Sequence, residues 1–419
     1  MHVSPRIGAV VTTVGIVVAA GSVTGAAAGA APVTSAAVAS SSPWRQTDYN
    51  AALSRANLTE QTLTAATVGK MRYLRSVTAP PVPPGAGCFS DSPGQDMVAP
   101  LLTGGDLYAV TTGRITKYDA ATGALIWRRN PDPSFSHVYQ SLAVAGGLVI
   151  VGELDCGSAS SPEGTIRAFN ATTGAPVWTK PMPRLGALQQ LVVSNGLVVA
   201  AGASEQSGLV ITVRKLATGA NVWTRSNLCI LGQLMVVKQV VITPSCTTTD
   251  NVVGRNLTTG AVVWTRAGDW VLQRGDSDTT AGRHVFAINP SGTVVSLAPL
   301  TGKTQYSLAG AVSVLAVDGS QAYGACGSLN NDVCAYNTGT GRLRWQAKSF
   351  EATEPVLAAE AGGVLYVDQG AALDTTTGQV LTTLWGGGPP SATALAVGDG
   401  RVAAVTDPRV VGLYGLPGS

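Results

Sequence analysis

The stretch Phe169–Pro181, FNATTGAPVWTKP, recurs along the chain in nearly the same words: YDAATGALIWRRN from Tyr118, KLATGANVWTRS from Lys215 and RNLTTGAVVWTRA from Arg255. Its anchor is a Thr-Gly pair. The glycines are Gly123, Gly174, Gly219, Gly260, Gly302, Gly341 and Gly378, and successive pairs lie 51, 45, 41, 42, 39 and 37 residues apart. Four residues after the glycine stands Trp127, Trp178, Trp223, Trp264 or Trp345; the fifth and seventh phrases carry Tyr306 and Thr382 there. Three residues before the Thr, Asp or Asn fills five of the seven places. Asp and Asn bond their own backbone two residues on and start a turn, and Gly takes the positive φ that closes it. Alternating runs flank the turn, and two more short apolar runs split by a Gly turn precede it, as in SLAVAGGLVIVG (141–152). One unit is therefore four antiparallel strands in about 40 residues, the size of a propeller blade.

The seventh phrase ends near Thr383, yet SATALAVGDGRVAAV and RVVGLYGL supply three more strands. Their missing fourth is expected in VGKMRYLRSV (68–77), with Gly69 and Tyr73 standing for the turn glycine and the Trp. Seven plus one gives an all-β, eight-bladed β-propeller of four-stranded blades, closed by an N-terminal strand on the C-terminal blade, which leaves no free sheet edge at the join. The phrases AFNATTGAPVW and AYNTGTGRLRW resemble the repeat of the PQQ-like (quinoprotein-type, also WD40-like) β-propeller family, over roughly residues 44–417. The chain looks like a secreted actinobacterial member. In that family the Trp packs on the neighbouring blade. The segment WRQTDYNAALSRANLTEQTLTAATVGKM (44–71) also resembles the lead-in of quinoprotein dehydrogenases.

The first residues read as an export signal: a weakly basic start, an apolar run from Ile7 to Ala20, then GAAAGAAP. The expected division is a signal peptide over 1–31, a linker over 32–60 and the propeller over 61–417, with an uncleaved membrane anchor as the other reading of the leader. A net charge of +3 on 419 residues argues against a nucleic-acid partner. In an exported chain the six cysteines imply three disulfides, and blade topology assigns them as Cys326–Cys334, Cys229–Cys246 and Cys88–Cys156, all on one face. Glu153, Asp155 and Glu163 would give that face its charge, and it is the expected docking face.

Family resemblance raises the question of pyrroloquinoline quinone and calcium. Those enzymes carry in many members a vicinal disulfide, a metal-binding carboxylate and amide, and an Asp base. No two cysteines are adjacent here and the metal-binding Asn stretch is not visible, so neither cofactor is supported by motifs and no metal site is expected. There is no G-x-S-x-G, and His137 and His284 are the histidines outside the leader, both expected to be structural. The fifth unit departs from the rest with RGDSDTTAGRH (274–284). Arg274, Asp276, Asp278 and His284 cluster there, the two carboxylates expected on one side of a strand. With Gln140, Gln189 and Gln233 they are the candidate ligand- or partner-binding residues; a wet axial channel that tolerates polar side chains is the competing reading. Two functions follow. One is an exported non-catalytic binding or scaffold module, monomeric, whose partner is a protein or cell-envelope component; its role resembles that of the propeller lipoprotein of outer-membrane barrel assembly, without that protein's lipid-bearing Cys. The other is a reduced quinoprotein oxidoreductase.

Overall fold

A computed structural model describes residues 42–79, 98–111, 114–130, 137–155, 164–182, 187–204, 208–228, 233–246, 250–327, 329–348, 357–368, 370–384, 392–407 and 409–418. Within the unit Ala39–Ser419 they form eight four-stranded antiparallel blades in sequence order. Blade 1 begins at Val98 and blade 7 ends at Thr383. Blade 8 takes Ala394–Gly398, Arg401–Asp407 and Val410–Gly415 from the C-terminus and Arg72–Thr78 from the N-terminus. The expected closure is present: Arg72–Thr78 runs antiparallel to Val410–Gly415. The first strands of neighbouring blades lie side by side, so they surround the axis. In such a blade the first-to-second and third-to-fourth turns share one face, and the second-to-third turn and the inter-blade loop share the other.

The repeated phrase forms the third-to-fourth turn and acts between blades. Asn170 Oδ1 accepts the N–H groups of Thr172 and Thr173, each at 2.9 Å, and the Gly174 N–H returns to Asn170 O at 2.7 Å. Gly174 has φ +67, and a Cβ there would stand 2.8 Å from Trp127 Cδ2 of the preceding blade. Glycine is thus required twice, for the turn and for the ring. The indole N–H of Trp178, Trp223, Trp264 and Trp345 donates to the next blade's turn at Leu216 O, Leu257 O, Pro299 O and Thr375 O, over 2.7–2.9 Å. Trp127 reaches Ala171 O at 3.2 Å, and Tyr306 uses its hydroxyl on Thr338 O.

The closing strand departs from the expected register. A bulge between Tyr73 and Arg75 sets Arg75, not Tyr73, opposite Leu413. Arg75 Cδ is what a Cβ on Gly123 would meet, at 3.3 Å, so Arg75 occupies the Trp place over blade 1. Tyr73 is 55% exposed and packs edge-on against Tyr414. No turn leads into this strand from blade 8, so counting four residues from Gly69 has no turn geometry behind it.

Cys326 and Cys334 are bonded, with Cα atoms 6.0 Å apart, across the hairpin of blade 6. The other two pairings and the side chain of Cys246 fall outside the described residues. Glu153 is fully buried and paired with Arg167 rather than displayed as a surface charge.

Residues 42–60, expected as a linker, are built into the propeller. Ala51, Ala52 and Leu53 are at most 1% exposed, a burial that a linker composition would not give.

Candidate functional site

The N-terminal segment crosses the first strand of every blade in turn. Trp44 exchanges backbone hydrogen bonds with Leu102 of blade 1, at 2.6 and 3.2 Å. Arg45 O receives Val144 N of blade 2. The Gln46 amide replaces a strand for blade 3, donating to Val193 O at 3.2 Å and accepting Val193 N at 2.8 Å. Ala51 O, Ala52 O, Ser54 O and Arg55 O then accept, over 2.7–2.8 Å, the N–H groups of Val236, Gly275, Val317 and Glu360 in blades 4 to 7. Ala56–Asn57 pairs in parallel with Ala358–Ala361 as a fifth strand of blade 7. On blade 8, Asn57 Nδ2 donates to Val397 O at 2.8 Å and to Ser42 O at 2.7 Å, so the two ends of the segment meet. The result is a hoop across the axis. Its tight path puts Asp48, Tyr49, Leu53 and Arg55 at φ between +50° and +76°, conformations that cost on the order of 1–3 kcal/mol each and persist where surrounding bonds over-determine them.

The hoop floors a cavity of about 750 Å³. Its walls are first-to-second turns: Gly146 of blade 2, Asn195 of blade 3 and Asp276–Thr279 of blade 5. Tyr49, Asn50 and Thr59 of the hoop line it, with Arg45 exposed at its edge.

The candidates from the fifth unit separate here. Arg274 is in the strand Val271–Gly275, while Asp276 and Asp278 lie in the turn that follows, not on a strand. Asp276 is tied to that turn, accepting Arg283 N at 2.9 Å and His284 N at 3.2 Å. Asp278 reaches across to Ser194 of blade 3. Burial pushes both carboxyls above their ordinary value, against the pull of those hydrogen bonds. Neither makes an ion pair among the described residues. Burial likewise raises the Tyr49 hydroxyl, with the Thr59 hydrogen bond and Arg45 opposing it and the charges of Glu360 and Asp278 adding to it.

Arg274 points elsewhere. It donates to Leu315 O at 3.3 Å, to Gln233 Oε1 at 3.2 Å and to Asp48 Oδ2 at 3.5 Å. Burial, with Arg55 adding to it, lowers its pKa to about 10, and Asp48 opposes that shift. Burial alone would raise the Asp48 carboxyl, but Arg55 and Arg274 outweigh it and hold it below its ordinary value. Gln233 therefore ties first strands together, as Gln190 does by accepting Leu234 N at 2.6 Å. The side chains of Gln140, Gln189 and His137 lie outside the described residues. His284 is buried in blade 5, its Nδ1 within 3.0 Å of Ser296 Oγ and 2.9 Å of Gln305 Oε1. Ser296 is fully buried and Asp276 bonds the backbone of His284 rather than its ring, so the three cannot act on a substrate as a nucleophilic triad.

Asp48 already faces two guanidinium groups, which would repel a cation, and among the described residues no three His, Cys, Asp or Glu are placed to hold a metal.

The hoop was missed in sequence because its bonds are mostly backbone carbonyls, which leave no side-chain signature. The readable trace is Gln46, Asn50, Asn57 and Glu60, amide and acid side chains in a segment that has no repeat partner.

The family model described as outer membrane protein assembly factor BamB matches residues 44–266 and 162–313. No curated protein matches. Among solved structures, BamB from Moraxella catarrhalis is 18% identical, with 83% of this chain and 98% of that chain covered and a TM-score of 0.55. Quinohemoprotein alcohol dehydrogenase from Comamonas testosteroni is 13% identical, with 91% and 82% covered and a TM-score of 0.62. The computationally designed Ika8 protein is 17% identical, with 77% and 97% covered and a TM-score of 0.61. At these identities the likeness shows the fold.

Proposed function

The chain belongs to the PQQ-like β-propeller family that the BamB model describes, and from that premise we propose that it is an exported, non-catalytic binding module whose hoop face receives a cationic side chain of a protein partner. The carrying observation is the cavity itself: about 750 Å³, lined by two carboxylates that make no ion pair among the described residues. A carboxyl whose charged form is penalised by burial gains most from an incoming ammonium or guanidinium group. Tyr49, Asn50, Thr59 and Ser194 surround them with hydrogen-bonding groups that fix orientation. Export is supported by the leader, by the Cys326–Cys334 bond and by the relation to an outer-membrane assembly factor.

The docking face expected from the sequence is the opposite one, around the disulfides, much of which lies outside the described residues. The hoop face is preferred because it has a formed cavity with uncompensated charge. The oxidoreductase reading has nothing comparable, since the axial carboxylate is neutralised.

Titration with short lysine- or arginine-bearing peptides, beside their norleucine and citrulline counterparts, tests the reading by NMR. Binding that needs the cation and weakens about tenfold or more in Asp278→Asn is the expected result. Equal binding of charged and neutral peptides, or none of either, would defeat it.

A further inference from the structure

Where the hoop meets blade 7, a buried acid has one oxygen unused. Glu360 pairs with Ala56 and gives its N–H to Arg55 O at 2.8 Å. The residue is 3% exposed. Its Oε1 accepts Gly363 N at 3.1 Å, and its Oε2 is buried with no hydrogen-bond partner. In register it shares a face with Leu365, on the opposite side of the blade from Tyr366, and Leu365 packs with Tyr323 and Trp345 of blade 6.

Among the described residues, the charged group that acts on Glu360 is Asp318, and the groups that Glu360 itself acts on are phenols. Blade 6 presents Asp318 and Tyr323, the hoop presents Tyr49 and, nearer Tyr366, Glu60, and the second strand of blade 7 carries Tyr366. The hoop's nearest cation in sequence, Arg55, is engaged with Asp48. Asp318 is well supplied with donors: Ser320 N and Gln321 N at 2.7 Å and the Tyr323 hydroxyl at 2.6 Å. A charged Glu360 would have an unsolvated oxygen beside the Asp318 carboxylate.

We propose that Glu360 makes closure of the hoop proton-dependent: the neutral acid allows Ala56–Asn57 to lie on blade 7, and the carboxylate drives them apart. Burial first, and then the charge of Asp318, push this carboxyl from 4.5 up to about 8. Unfolded, the group releases its proton near the ordinary value; folded, it keeps it to about 8. Its contribution to stability is therefore complete below about 4.5, declines as pH rises between the two values, and is lost above about 8. The inference does not depend on what the cavity binds.

Hydrogen exchange of the full chain from pH 6.5 to 9.5, corrected for the intrinsic pH dependence, reads the hoop and the amides it protects, Val317 and Glu360 among them. Protection should fall on the order of tenfold between pH 6.5 and 8 in the wild type, level off above about 8, and stay flat in Glu360→Gln. Glu360→Met removes the same proton with an apolar side chain and should match it if the amide is poorly tolerated. Asp318→Asn should bring the levelling-off to lower pH. Unchanged wild-type protection to pH 9.5 overturns the proposal. So does the same loss in either Glu360 variant, or a levelling-off that ignores Asp318→Asn.

Discussion

Six blade junctions, from 1/2 to 6/7, are held by one device, and the junction between blades 7 and 8 is held by another. At the six, an aromatic ring from the outer strand covers the next blade's turn glycine and donates to its carbonyl three residues back. At the seventh, Thr382 stands in the ring's place, and blade 8 has no third-to-fourth turn to cover because its outer strand comes from the N-terminus. There the hoop does the work near the axis instead. Glu60 accepts Gly400 N of blade 8 at 3.1 Å, and its own carbonyl abuts Gly362 of blade 7, where a Cβ would meet Glu60 O at 3.3 Å and Leu63 O, just beyond the hoop, at 2.2 Å. The lesson is that the repeat specifies six of the eight junctions and neither of those made by the closing blade: at 7/8 there is no third-to-fourth turn to cover, and at 8/1 the outer strand comes from outside the repeat and sets Arg75 in the ring's place.

Removing the hoop should have the largest effect. A chain lacking residues 42–60 but retaining Arg72–Thr78 should lose cooperative unfolding and aggregate, as followed by calorimetry and size-exclusion chromatography. A monomer with an unchanged melting curve would erase the distinction between the two kinds of junction.

Trp264→Ala comes next, at about 3–5 kcal/mol, because a buried ring and its hydrogen bond to Pro299 are both lost. The matched change Thr382→Ala should cost within about 0.5 kcal/mol, as at an ordinary half-exposed position. Urea denaturation of the pair measures the contrast directly, and similar losses at both places would contradict it.

Asn57→Ala should cost roughly 2–3 kcal/mol, since it leaves Ser42 O and Val397 O without their buried donor and unties the hoop's ends. Its loss should exceed that of Gln46→Ala, which frees one site in blade 3. The reverse order would mean that the knot on blade 8 is not what holds the seam.

Arg75→Ala should have the smallest effect, under about 1 kcal/mol, because the aliphatic stem over Gly123 is mostly what is removed. Arg75→Trp should stabilise the 8/1 junction if the ring device is transferable; a destabilised Trp variant in the same urea series would show that the closing strand is too irregular to use it.

How much was legible depends on where a residue's partner lies. Blade number, the turn chemistry of Asn170 and Gly174, the roles of the five tryptophans, the closing strand and the Cys326–Cys334 bond all follow from the sequence, because each rests on local turn geometry repeated at a fixed period, or on a pair only eight residues apart. What only the tertiary structure decided is the use of residues 42–60 and the fate of the fifth unit. Asp276 and Asp278 sit two residues apart, yet one staples its own turn and the other faces blade 3, a split that alternation along a strand does not describe once the residues are in a turn. Arg274, read with them as one cluster, belongs instead to the hoop, through an aspartate 226 residues earlier in the chain. Backbone hydrogen bonds carry the hoop across the first strands of six blades, with side-chain amides serving blades 3 and 8, and backbone groups are the same in every sequence; only the three-dimensional path reveals which strands they meet.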